Sequence, residues 1–121
     1  MTRKSDEGLY SESSTGKKSE DMRKRCAIID SSDAVAAISI HQNSYHEENV
    51  KGAQVFFYKN SEDGKQLAEC LQESLVNELD KTNIRQAKSN DSYYILRKTQ
   101  TPTVIVECAF LSNYEEAALI I

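Results

Sequence analysis

Apolar positions along this chain change their spacing from one stretch to the next, and each spacing predicts an element. The β-branched residues Thr103-Val104-Ile105-Val106 run together, which predicts a strand buried on both faces. Pro102 suits the entry to that strand, where no ladder N–H is needed, and the run delivers an acid, Glu107, at its end. Leu67, Leu71, Leu75 and Leu79 recur every fourth position, with Ala68, Cys70 and Val76 beside them. This predicts an amphipathic helix with one core-facing stripe, N-capped by Ser61 and running to about Asp80. Met22, Cys26 and Ile29 also fall at helical spacing, so a short helix is expected over 19–30 with Ser19 as its N-cap.

The compact run from Ala34 to Ile40 reads as a buried strand that feeds directly into His41. Gly52 to Tyr58 is a further strand, closed by Lys59-Asn60. Lys81 to Ser92 is polar and reads as a loop, and Tyr93 to Leu96 as a short strand or extended segment. A last apolar helix pattern starts at Glu115 and is still running at Ile121. Residues 1–20 are polar with two glycines and read as a loop or arm, leaving 21–121 as the folded unit. The order of helix, strand, strand, helix, strand, strand and a helix begun gives an α/β fold, a sheet covered by helices.

Composition narrows the function. With 121 residues the chain is at most one domain. A net charge of -4 and the lack of a basic stripe argue against a nucleic-acid partner. No apolar run approaches the ~18 residues of a membrane span, and the polar opening Met1-Thr2-Arg3-Lys4 is no signal peptide. Cys26, Cys70 and Cys108 are odd in number and far apart, so they predict neither a disulfide framework nor a CxxC metal motif.

Two side chains carry candidate chemistry, each placed where a strand is expected to end. Ligands of open α/β sheets gather at that edge. Glu107 is either functional or a carboxylate that caps a helix or pairs with a lysine. His41 is a metal-capable imidazole, although a lone histidine at a strand end is more often simply hydrogen-bonded. His46 reads as an exposed loop residue. Arg23, Lys24 and Arg25 read as a solvated face. Arg85 reads as a surface charge, or as a group that binds a ligand carboxylate. Together His41 and Glu107 are part of what a one-metal hydrolase needs: a zinc ligand, and a carboxylate that takes the proton as metal-bound water becomes a nucleophile.

Ser39-Ile40-His41-Gln42-Asn43, Lys51-Gly52-Ala53-Gln54-Val55-Phe56 and the stretch from Pro102 through Glu107 to Asn113 resemble the zinc-dependent N-acetylmuramoyl-L-alanine amidases of bacterial cell walls, above all the spore-cortex amidases. Met1-Thr2-Arg3, Asn83-Ile84-Arg85 and Tyr93-Tyr94-Ile95-Leu96 extend the likeness over nearly the whole chain. The resemblance implies a three-layer domain with a mixed sheet flanked by helices. It implies hydrolysis of the amide between N-acetylmuramic acid and the L-alanine of the stem peptide. His41 falls on a zinc ligand, Glu107 on the catalytic glutamate and Asn43 on a neighbour that orients the ligand. It further implies Zn2+ as cofactor, peptidoglycan or a muropeptide as substrate, an activator protein as a candidate partner, and action outside the membrane at the cell wall or spore cortex.

Two departures stand out. Ala109 replaces a more usual glycine. The family's Gly-His-Gly-Gly loop and a further glutamate ligand are missing, so the chain is expected to lack the domain's first strand and last helix. A non-catalytic remnant that serves as a binding module is the alternative, and an unrelated α/β domain a weaker one. One imidazole in place of a full ligand set removes most of a site's zinc affinity. Calorimetric titration of the 121-residue chain with zinc is therefore expected to show weak uptake, and a muropeptide assay little turnover. Tight stoichiometric zinc with clear turnover would refute the expectation of a depleted ligand set.

Overall fold

Pairing on both sides defines the strand that holds the sheet together. In the computed structural model, which describes residues 1–5, 7–10 and 15–120, β4 (Thr103–Phe110) lies between β1 (Ala37–Asn43) and β2 (Gln54–Tyr58). β3 (Lys88–Asn90) adds to the far side of β2, so the order is β1-β4-β2-β3. β1 runs parallel to β4, β2 antiparallel to it, and β3 parallel to β2. With both ladders satisfied by neighbours and both faces covered, β4 accommodates an unbroken apolar run. Val104 is fully buried, and Ile105 and Val106 nearly so.

Helices cover the two faces and make three layers. On one face α1 (Lys17–Ser31) and α3 (Tyr94–Lys98) pack Cys26, Ile29, Ile95 and Leu96 around Ile105. On the other, α2 (Glu62–Leu79) sets Ala68, Leu67, Leu71 and Leu75 against Val55, Phe57, Val104 and Val106. α4 (Tyr114–Ile120) follows β4 as a short final helix. Ser61 Oγ accepts the Gly64 N–H at 3.0 Å, the N-cap expected from the sequence. Leu79 is exposed instead of core-facing. Each fourth residue advances about 40° beyond a full turn, so three such steps carry the stripe off the sheet.

Several expectations change. α1 starts at Lys17 with Gly16 as its cap residue, so Ser19 lies inside the helix and residues 17–20 belong to it rather than to an arm. Residues 6, 11–14 and 121, parts of the expected arm and of the C-terminal apolar run, lie outside the described residues. The expected polar loop over 81–92 contains β3. Its ladder uses only backbone groups, so its composition gave no sign. Beyond Tyr93, which is extended, Tyr94 to Leu96 coil into α3: Asn90 Oδ1 accepts the Ser92 and Tyr93 N–H groups and turns the chain. Short apolar runs do not distinguish strand from helix by spacing.

β1 is also displaced from its expected bounds and is not buried. It is an edge strand, with Ile38 and Ile40 pointing to the side of α2 yet 52% and 72% exposed. α2 packs on β2 and β4, so its footprint ends before β1.

Gln72 is the polar residue this core depends on. It is buried in α2, accepts the Val55 N–H at 2.8 Å and donates to Ala53 O at 3.0 Å. Gln72→Ala strands two buried backbone groups, each costing about 1–3 kcal/mol. Denaturant unfolding is expected to show a loss of at least about 2 kcal/mol, and an unchanged midpoint would contradict this role.

Candidate functional site

Strand register brings the candidate residues together. Glu107 pairs with His41 across the parallel β1–β4 ladder and with Gln54 across the antiparallel β2–β4 ladder. Residues in register on neighbouring strands, ~4.8 Å apart, point to the same face. That face is the α1/α3 side, because Ile105 and Phe56, two positions away on their strands, belong to its core. The parallel strands end here, where α/β sheets carry ligands.

Strand ends differ from the sequence reading. His41 and Glu107 do not follow their strands but lie within them, since β1 continues to Asn43 and β4 to Phe110. The register slips between them: His41 faces Glu107, but Asn43 faces Phe110. One residue of β1 therefore opposes Cys108 and Ala109, a bulge on β4 directly after Glu107. Bulges of this kind re-aim side chains beside sites. Here the slip brings Phe110 to the same face as Glu107. Among the described residues no non-glycine has a positive φ, so the backbone at Ala109 is free of left-handed strain and makes no demand for glycine.

The two candidates sit in opposite surroundings. Glu107 is buried at 8% exposure, and its Oε2 has no hydrogen-bond partner. Burial pushes its pKa above the ordinary value, and only the charge of His41 pulls it back. His41 is exposed, and its Nε2 lies 2.9 Å from Ser39 Oγ. The sequence reading did not single out Ser39; its position two residues from His41, on the same strand face, was the available signal. Asn43 uses its side-chain oxygen locally, accepting the Ser44 N–H at 2.8 Å. A cavity of about 790 Å³ runs along β1 past Ile38, Ser39 and Ile40 beside Met1 to Ser5, and neither His41 nor Glu107 lines it.

The other candidates, Arg85 apart, separate from this face. His46 is exposed and stacks on Tyr45. Arg23 and Lys24 are exposed, while Arg25 is half-buried and bound to Asp21 at 2.7 Å. Arg85 is half-buried beside Gln54, with Nη1 3.2 Å from Gln54 Oε1. His41, Glu107, Gln54 and Arg85 thus form a row across three strands and the loop beyond. Among the described residues no group of three or more His, Cys, Asp or Glu side chains is placed to hold a metal. The imidazole and the orphan carboxylate oxygen fit a zinc site in donor type, but they are only part of one.

The chain is thus a three-layer α/β domain with a buried carboxylate, its Oε2 unpartnered, and an imidazole in register on adjacent parallel strands. Comparisons with known proteins give its family. The family described as N-acetylmuramoyl-L-alanine amidase is matched over residues 1–121, and the chain belongs to that family. It is 36% identical to the germination-specific N-acetylmuramoyl-L-alanine amidase of Bacillus subtilis (strain 168), over 99% of this chain and 52% of that protein. It is 33% identical to the probable cell wall amidase LytH of Staphylococcus saprophyticus over 64% of this chain and 25% of that protein. Among solved structures it matches the CwlD amidase from Clostridioides difficile, in complex with the GerS lipoprotein, with a TM-score of 0.92 at 40% identity. That match covers 98% of this chain and 62% of the other. The chain thus spans about half the length of the Bacillus relative.

The buried carboxylate sets a pH dependence. Because burial raises its pKa in the folded state, the native protein holds this proton more tightly than the unfolded chain does. Stability from this group is therefore full below the unfolded-state value and lost as pH rises through the folded-state value. Glu107→Gln removes that loss. In denaturant melts the variant is expected to gain stability over the parent as pH increases from 4 to 7, and a constant difference across that range would contradict the placement.

Proposed function

We propose that this chain carries the proton-handling part of a zinc-dependent amidase site that cleaves the bond between N-acetylmuramic acid and L-alanine of the stem peptide. The observation that carries the reading is the pairing of Glu107 with His41 in register on one face, with Glu107 Oε2 buried and unpartnered. Family membership supports the reaction class.

In this reading His41 would hold the metal as one of its protein donors. Zinc, when bound, supplies a polarised water of lowered pKa. Glu107 takes the proton of the attacking water on its orphan oxygen and returns it to the leaving amine of L-alanine. Burial raises its pKa, which favours taking up that proton. Ser39 orients the His41 ring through its hydroxyl, and Asn43 fixes the end of β1 through its turn with Ser44. The site of action is the cell wall or spore cortex, outside the membrane. By analogy with the Clostridioides structure, which holds a lipoprotein, a partner protein assists.

The test is a chimera in which residues 1–121 replace the matching half of the Bacillus relative. Muropeptide cleavage by the chimera is expected to fall about a hundred-fold or more on Glu107→Gln, with zinc content unchanged. His41→Ala is expected to lower zinc content itself. Turnover that survives Glu107→Gln would overturn the assignment.

A further inference from the structure

Arg85 is a charge that the proposed hydrolysis leaves unused, and the loop around it is built to hold it. Its Nε donates to Lys51 O at 3.0 Å and its Nη1 to Gln54 Oε1 at 3.2 Å. The guanidinium carbon lies 5.1 Å from the centre of the Phe110 ring. Asn83 ties this corner down, accepting the Arg85 N–H at 3.0 Å and donating to Ala53 O at 3.0 Å. Gly52 leaves the space: its φ is +105°, and a Cβ there would lie 2.8 Å from Asn83 Oδ1 and 3.3 Å from Arg85 Nε.

This half-buried cation has no carboxylate within ion-pair distance among the described residues, although cations taken from water are ordinarily paired. A guanidinium carries five N–H donors. Two are used in the bonds above, which leaves one on Nη1 and both on Nη2, the end-on pair that grips a carboxylate. Glu69 and Glu73 line the hollow on the α2 side of Arg85, so an anion meets repulsion there and approaches from the side of Gln54 and Phe110. That is the side of Glu107.

We propose that Arg85 binds a carboxylate on the leaving peptide, one residue beyond L-alanine, and so selects acidic stem peptides; this rests on the amidase reading above. The spacing agrees. An extended peptide advances ~3.3–3.6 Å per residue, so a carboxylate two residues from the scissile amide lies roughly 7 Å away. One strand step from Glu107 to Gln54 is ~4.8 Å, and Arg85 sits one side chain further. Gln54 and the Phe110 ring hold the guanidinium plane, so little order is lost on binding. The short peptide runs across the strand ends from β4 toward β2.

The test compares two probes by amide chemical-shift titration of the 121-residue chain. One is L-alanyl-γ-D-glutamyl-L-lysine with its free α-carboxylate, and the other the same peptide with that carboxylate as a primary amide. The unmodified chain is expected to bind the acid at least ten-fold more tightly. Arg85→Met should erase the preference by weakening the acid alone, and Arg85→Lys should restore part of it. Equal affinities in the unmodified chain would overturn the proposal, as would equal weakening of both probes by Arg85→Met. The comparison within the unmodified chain decides the matter even if the variants fail to fold. It involves no bond cleavage, so a failed amidase reading shows separately, as indifference of the chimera to Glu107→Gln.

Discussion

A carboxylate held inside a sheet without a partner is the constraint around which this molecule is arranged. Glu107 is fixed there by two ladders at once, parallel to β1 and antiparallel to β2. Neither ladder can slip without moving His41 or Gln54 off the shared face, because a one-residue shift reverses every side chain. The apolar residues before Glu107 hold the register, since Val104 and Val106 must face α2 and Ile105 must face α1 and α3. Core packing and the geometry of the site are therefore the same requirement, met by one strand.

The region after the site is secured by side chains rather than by more sheet. Glu116 accepts the Gly52 N–H at 2.8 Å and the Phe110 N–H at 2.7 Å, joining α4 to the entry of β2 and the end of β4. Asn113 caps α4 through Glu116 N and also donates to Glu48 O, which ties down the loop after β1. Tyr45 N donates to Ser112 Oγ in the same area. The bonds Gly52–Glu116, Glu48–Asn113 and Tyr45–Ser112 reach across more than sixty residues of sequence, and together they fix the loops that flank His41, Phe110 and Arg85. A bulge on β4 does the rest by turning Phe110 toward that side.

The chain belongs to the amidase family, and the physical state of Glu107 agrees with the role proposed for it. Burial raises its pKa, and the nearby imidazole moderates the rise. The exposed His41 beside it suits a ligand that must meet a metal and substrate from outside. The row from His41 through Glu107 and Gln54 to Arg85 then gives one direction in which a peptide can lie.

Much of this was legible in the sequence. The β-branched run of β4, the capped α2 helix and the α1 core positions Met22, Cys26 and Ile29 follow from local spacing, and the stretches around His41, Gln54 and Glu107 that carried the resemblance to cell-wall amidases lie on three paired strands. The rest depended on neighbours distant in the chain. Local pattern could not show that β1 would be an edge, since its exposure comes from the limited reach of α2. Nor could it show that three polar residues at Lys88–Asn90 would pair as a strand, or that Tyr94–Lys98 would coil, because backbone ladders and Asx turns leave little mark on apolar spacing. Residue types alone established that a carboxylate, an imidazole and a guanidinium were available. Strand register, a long-range property, put the carboxylate and the imidazole on one face, bonds to Lys51 and Gln54 set the guanidinium beside it, and burial by the assembled layers decided which would be left without a partner.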